Sequence, residues 1–350
     1  MNKQKKGCCG GDEGGSSDGR VNGEKRIVIT GAAGFVGRRL TEALSGKGYK
    51  LRVFVRDNKF EDFFRKHHAE IYTGDIRDRE IHDWLLDGAC GVFHLASIVQ
   101  KAGIPDREFW ETHVTATRRL LQAAARQKVG RFVHCSTIGV LGGVENPPAN
   151  EETPYNVSDI YQVTKAEGEK VALEWNGANG LKVCVVRPAA VYGPGDTRML
   201  KLFKYIVNGK FKMIGDGKTL IHPVYVDDLV DGMILACESN KSAGRVYILG
   251  GEKYVTLTQW VNAIAGEANV KPSNVYLPYE PIRAVAALCE DVCKPLGIEP
   301  PIFRRRVDFF VKNRAFSITR AKEELGYRPK VDIHEGARRT LQWYKEHRFV

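Results

Sequence analysis

The chain lacks the cysteine patterns that would tie it to a metal or to a disulfide framework. Its eight cysteines, at 8, 9, 90, 135, 184, 237, 289 and 293, form no CxxC pair, and there is no HExxH. Neither a zinc site nor a disulfide scaffold is supported. Most of these cysteines stand singly in apolar runs such as "LKVCVVRP", where Cys behaves as a small buried hydrophobe. Cys289 and Cys293 share a helix face, which core packing explains. Also missing is any apolar run of the ~18 residues a spanning helix needs. The opening residues, "MNKQKKGCCGGDEGGSSDGR", have no signal-peptide stretch. Rich in Gly, Ser and charge, residues 1–24 are expected to form a disordered tail, and the protein is expected to be cytoplasmic. No recognition helix, zinc finger or aromatic–basic RNA motif is found. The net charge of +11 therefore points to an anionic cofactor, substrate or membrane surface, not to nucleic acid.

What is present is a globular composition, 43% apolar and 27% charged over 350 residues, long enough for two unequal parts. "KRIVIT", "GAAGFVG", "RRLTEALSGKGY" and "KLRVFVR" read as strand, glycine turn, helix and strand. The alternation continues through "AEIYTGDI", "GVFHLAS", "TRRLLQAAARQKVG", "RFVHCST", "DIYQVTKAEGEKVALEWNGANG" and "LKVCVVRPAAVYG". Short continuous apolar runs of this kind suit parallel strands buried on both faces, so a doubly wound α/β sheet is expected over 25–191. The pattern changes near 192. Residues 192–222 and 251–350 are expected to form a smaller substrate-binding part, with 223–250 returning to the sheet domain.

Gly31, Gly34 and Gly37 lie between the first strand and the first helix, the context in which a glycine fingerprint carries weight. There the backbone can approach a pyrophosphate and the helix N-terminus attracts it. At the end of the second strand, Arg56 favours a 2′-phosphate and hence NADP, with Arg38 or Arg39 as helpers, whereas Asp57 keeps NAD open. In "GDI", Asp75 is placed to accept from the adenine amino group and Ile76 to pack on the ring.

"YQVTK" sets Tyr161 and Lys165 four residues apart on one helix face. A tyrosine hydroxyl is a poor base at neutrality. A neighbouring ammonium and a nicotinium charge would both favour its phenolate. Lys165 could also hold the nicotinamide ribose. "RFVHCST" supplies Ser136 and Thr137 as hydroxyls at a strand C-terminus, completing a set for general acid–base chemistry.

Together these residues resemble the extended short-chain dehydrogenases/reductases of the NAD(P)-dependent epimerase/dehydratase superfamily, over nearly everything from Lys25 onward. The matching elements are "TGAAGFVG", "GDIRD", "VFHLAS", "STIGVLG", "YQVTK", "RPAAVYGPGD", "HPVYVDDLV" and "AKEELGYRPKVDIHEGARRTLQWY". The resemblance implies a Rossmann-type sheet with a smaller C-terminal α/β domain. It places the catalytic hydroxyl on Thr137, with Ser136 within similar reach, and the Tyr and Lys on Tyr161 and Lys165. It puts Phe35, Val36, Leu95, Ala96, Pro188 and Val191 against the cofactor. It also implies a homodimer through "TRRLLQAAARQ" and the Tyr161 helix. One departure is His113, in "THVTATRRL", where relatives often carry Asn; a structural role, a proton-relay role and an ordinary buried histidine all stand.

Dehydratases and decarboxylases of nucleotide sugars carry an acid just after the catalytic Thr; here Ile138 and Gly139 follow. Nucleotide-sugar epimerases carry an Arg that grips the diphosphate; "GDGKTLIHPVYVDD" has Ile221 there, then His222 and Pro223. "RRRVDFFVKNRAFSI" replaces a later Arg element, although Arg304, Arg305 and Arg306 offer charge by other geometry. "PIRAVAALCEDVCKPLGIEPPIFRRRVDFF" is similar to the 3β-hydroxysteroid dehydrogenase-like branch. The resemblance thus implies a secondary alcohol/ketone oxidoreductase acting on a hydrophobic, steroid-like or lipid-derived small molecule, and the basic, aromatic-bearing flank is expected to rest peripherally on an anionic membrane. The alternatives are a nucleotide-sugar epimerase that retains NAD and a non-catalytic dinucleotide-binding module.

Overall fold

The computed structural model describes residues 26–98, 103–293, 298, 300–302 and 304–350, the side chains of 305 and 306 excepted. The expectations for the 1–24 tail, for Cys8 and Cys9, and for the Arg305 and Arg306 side chains lie outside the described residues.

The β-branched runs become strands and the periodic segments between them become helices. In order these are β1 (Arg26–Thr30), α1 (Phe35–Gly46), β2 (Lys50–Val55), α2 (Glu61–Lys66), β3 (Glu70–Thr73), α3 (Ile81–Leu86) and β4 (Ala89–His94). A longer helical stretch follows, formed by α4 (Asp106–Trp110), a π turn (Glu111–Thr115) and α5 (Ala116–Arg126). Then come β5 (Arg131–Cys135), α6 (Ile160–Glu174), β6 (Lys182–Pro188) and β7 (Ala190–Tyr192). The remainder holds α7 (Leu200–Val207), β8 (Met213–Ile214), β9 (Leu220–Ile221), β10 (Pro223–Tyr225), α8 (Val226–Glu238) and β11 (Val246–Leu249). It ends with β12 (Val255–Thr256), α9 (Leu257–Glu267), β13 (Tyr276–Leu277), α10 (Tyr279–Cys293), α11 (Arg304–Asp308), α12 (Thr319–Leu325) and α13 (Ile333–Glu346).

Seven strands form one sheet in the order β11-β6-β5-β4-β1-β2-β3, every neighbouring pair parallel. Alternate residues of β1 serve opposite layers. Ile27 and Ile29 pack with Leu40 and Leu44 of α1 and Leu229 and Met233 of α8. Val28 packs on the other face with Leu85 of α3 and Leu120 of α5. The chain leaves β1 for β2 on one side and returns through β4 on the other, which opens a crevice at the strand C-termini between β1 and β4. A third core, with Phe203, Trp260, Leu341 and Tyr344, builds the second lobe from α7, α9 and α13.

Candidate active site

The nucleotide end is built from backbone. Gly31 has φ +70°, and a Cβ there would lie 2.7 Å from the Leu95 carbonyl carbon and the Ala96 nitrogen. A Cβ at Gly37 would sit 2.4 Å from the Gly31 oxygen. The turn, the start of α1 and the end of β4 therefore touch main chain to main chain, leaving a cradle only glycine permits. Gly34 caps α1 without a side-chain bond, and the first turn contains no acid. Its amide groups and the positive end of the helix suit an anion, so the residues present fit a dinucleotide pyrophosphate. Phe35 and Val36 are half-buried in that first turn, and Leu95 and Ala96 are half-buried across from it.

The ribose end is more divided than the sequence suggests. Arg38 donates to the Ala33 carbonyl at 2.7 Å and lies 4.2 Å over the Phe60 ring; burial lowers its pKa. Arg39, expected as a helper, instead pairs with Asp227 at 2.6 Å and with Glu42. Arg56 is exposed just past β2. Asp75 is held bidentately by Arg77, at 3.0 and 2.6 Å. Those bonds keep its carboxyl below the usual carboxylate range. The Arg77 amide also donates to Oδ1, at 2.9 Å, so three of its acceptor sites are already in use, which the spacing of "GDIRD" alone did not indicate. Ile76 is buried.

At the reaction end, α6 begins where Asp159 accepts from the Gln162 amide at 2.8 Å, which sets Tyr161 in the first turn. Lys165, one turn on, is buried and donates to the Cys135 carbonyl at the end of β5, at 2.7 Å. Burial lowers its pKa, opposed by the nearby Glu169 charge. That carboxylate is itself buried against Arg187 of β6, at 2.8 Å, and accepts from the Tyr155 hydroxyl at 3.0 Å. Helix α6 is therefore fixed to both β5 and β6. The two candidate hydroxyls differ in exposure and bonding. Ser136 is buried, and its Oγ has no hydrogen-bond partner among the described residues. Thr137 is half-buried; its Oγ1 accepts from the Gly139 amide at 3.0 Å, leaving its own hydrogen to donate. Pro188 ends β6, and Val191 is buried in β7.

Ile138, the residue after Thr137, lines a cavity that sequence reasoning did not assemble. Its walls include Ile138, Ala190, Ile221, Pro223, Trp260 and Phe309, with Met199, His222 and Arg314 completing them. Nearly all of its surface is apolar. In this form it holds about 20 Å³, roughly one water. His222 turns its Nε2–H to the Gly251 carbonyl at 2.8 Å. The contributors lie more than 170 residues apart along the chain, from Ile138 to Arg314; of them, Ile138, Ile221, His222 and Pro223 carried a signal, as departures from the residues that nucleotide-sugar relatives have there. Among the described residues no cluster of three or more His, Cys, Asp or Glu could hold a metal, and no helix is long and apolar enough to cross a membrane.

Residues 27–250 match the NAD dependent epimerase/dehydratase family. A 3 beta-hydroxysteroid dehydrogenase/Delta 5-->4-isomerase of Mycobacterium tuberculosis is 27% identical over 335 residues, covering 91% of this chain and 90% of that one. Short-chain dehydrogenase/reductase family 42E member 1 of Macaca fascicularis is 31% identical over 357 residues, covering 93% and 88%. The crystal structure of a UDP-glucose 4-epimerase from Thermotoga maritima, with UDP-glucose, superposes with a TM-score of 0.73 at 25% identity, covering 92% of this chain and 99% of that one.

Proposed function

Because the chain belongs to the NAD-dependent epimerase/dehydratase family of extended short-chain dehydrogenases/reductases, we propose that it interconverts a secondary alcohol and a ketone on a hydrophobic, steroid-like or lipid-derived substrate. The observation that carries this reading is the apolar cavity lined by Ile138, Ile221, Trp260 and Phe309. Its Ile138 and Ile221 occupy the positions where nucleotide-sugar enzymes, by resemblance, carry an acid and a diphosphate-gripping Arg. An apolar wall cannot supply a charge-assisted bond to a diphosphate. It gains free energy by burying hydrocarbon.

The dinucleotide, when bound, gives or takes the hydride. Gly31, Gly34, Phe35, Val36 and Gly37 would hold its pyrophosphate end, Arg56 and Arg38 an adenosine 2′-phosphate, and Pro188 and Val191 the far end, with Asp75 and Ile76 serving the adenine and Leu95 and Ala96 completing the cofactor's wall. Tyr161 exchanges the proton of the substrate hydroxyl. The Lys165 ammonium favours the phenolate and binds ribose. Thr137 orients the substrate oxygen with its free hydroxyl hydrogen. A bulky substrate must part the cavity walls.

A second surface bears on where such a substrate is met. Helix α10 exposes Val285, Leu288 and Val292, at 58%, 68% and 54%, one apolar row at helical spacing. Arg283 and Arg304 on this flank face acids, Asp308 for the first and Glu290 and Asp291 for the second. Peripheral membrane contact would therefore work by apolar insertion more than by charge. Vesicle co-sedimentation tests it: binding to neutral and anionic vesicles alike, lost in Leu288→Asp, is expected, and no uptake by either would sink the idea.

The test of the main reading is mass spectrometry of any nucleotide released on denaturing the freshly purified protein. NAD and NADPH titrations follow, with absorbance at the nicotinamide band on a 3β-hydroxysteroid and on UDP-glucose. An empty protein that prefers NADPH and turns over the steroid is expected. Stoichiometric bound NAD with turnover of UDP-glucose would establish the epimerase alternative instead.

A further inference from the structure

His113 is buried, 2% exposed, in the π turn that interrupts the α4–α5 stretch. Such turns cost helix geometry and recur where a side chain must be re-aimed. Its Nε2 accepts from the Ile98 amide at 3.1 Å, with Ser97 Oγ 2.9 Å away. A backbone amide can only donate, so that nitrogen carries the lone pair and the proton sits on Nδ1. Nδ1 donates to Thr164 Oγ1 at 2.8 Å, and Thr164 passes its own hydrogen to the Ile160 carbonyl at 2.8 Å. The imidazole edge meets the Tyr161 ring, centroids 5.6 Å apart. The main chain of the same residue also docks, since a Cβ on Gly168 would come within 2.6 Å of the His113 carbonyl oxygen.

Tyr161, Thr164 and Gly168 form one stripe of α6, and His113 touches all three. On its other side it holds Ser97 and Ile98, which directly follow Leu95 and Ala96 beyond β4. We infer that His113 is the positioning residue that sets the rotation of the Tyr161 helix against the cofactor-side loop, acting as a permanently neutral spacer and not as a proton carrier. Burial supports this by pushing its pKa down to about 2. The inference rests on Tyr161 being the proton-exchanging group.

The two nitrogens can be tested apart. In His113→Asn the amide overlays Nδ1 and keeps the bond to Thr164 while losing Ile98; His113→Gln overlays Nε2 and does the reverse. Thr164→Val removes the α6 link without touching His113. Protein labelled with ¹³Cζ-tyrosine and saturated with NADP⁺ gives a Tyr161 resonance, assigned by its absence in Tyr161→Phe. In Gln and Val variants that melt within a few degrees of wild type, the Tyr161 titration midpoint should move to higher pH. Steroid turnover should fall ~10²-fold through kcat, with dinucleotide Kd little changed. His113→Asn, which loses the loop side of the link, should shift both readouts in the same direction as His113→Gln, and Thr164→Val should add nothing to His113→Gln. Unmoved titration and kcat in both Gln and Val variants would overturn the inference. A wild-type Tyr161 resonance that titrates with the other tyrosines would instead overturn the role given to Tyr161 itself.

Discussion

The Lys165 ammonium donates to the carbonyl of Cys135 at 2.7 Å, so the end of a sheet strand holds the side chain one turn below Tyr161. An ammonium with little water around it gains much from that carbonyl and from any phenolate nearby. Lys165→Met keeps the length and loses the charge. Turnover of the steroid substrate is expected to fall ~10²–10⁴-fold, the range of a lost acid–base partner. NADPH affinity should also weaken. Fluorescence titration and steady-state rates check both, and an unaltered kcat would remove Lys165 from the reaction.

Gly31→Ala meets two penalties. The Cβ would lie 2.7 Å from backbone atoms of Leu95 and Ala96, and φ of +70° strains any L side chain. Those contacts cannot rotate away. The expected loss is at least about 1–3 kcal/mol of stability, together with dinucleotide binding. Calorimetry and NADPH titration test this. Gly46→Ala is the control, since a Cβ there meets nothing within 4 Å.

Arg56 and Arg39 look alike in the sequence but differ in the fold. Arg39 is held by Asp227 and Glu42, whereas Arg56 is exposed just past β2. A charge-assisted bond to a 2′-phosphate contributes about 1.5–3 kcal/mol. Arg56→Ala should therefore lower the NADPH-over-NADH affinity ratio at least ~10-fold, and Arg39→Ala should leave it unchanged. Equal ratios in wild type and Arg56→Ala would return the choice to NAD.

The sheet was legible because its strands are continuous apolar runs that need burial on both faces, and the glycine turn because only glycine survives those contacts. That Tyr161 and Lys165 share a helix face was legible from their spacing; that they belong to a site was read from the glycine turn upstream, the Ser136–Thr137 hydroxyls and the family resemblance. The pairing of Asp75 with Arg77, the capture of Arg39 by Asp227 and the Trp260–Phe309–Ile138 cavity were not. Each depends on segments brought together by the fold, or on a choice between two reachable partners that local sequence leaves open. The readings of His113 turn on the partners of its two nitrogens, which local sequence does not show.

Three histidines behind Lys165 give the protein an acid-side weakness. Burial pushes His94 down to about 3 and His113 down to about 2, and holds His134 well below its ordinary value. His94 is bonded between Thr30 and Thr117, at 2.7 and 2.9 Å; His134 packs against its ring, centroids 5.5 Å apart. Above the unfolded value of ~6.5 all three are neutral in both states and contribute no pH dependence. Below it the unfolded chain binds protons that the folded chain refuses. Each histidine then removes up to ~1.4 kcal/mol per pH unit, continuing down to about 3 for His94. Urea unfolding between pH 7.5 and 4.5 should show stability flat at the upper end and falling below 6.5. Replacing His134 by Phe, which demands no proton in either state, should make the fall shallower. A slope unchanged in that variant would mean that His134 is protonated in the native protein.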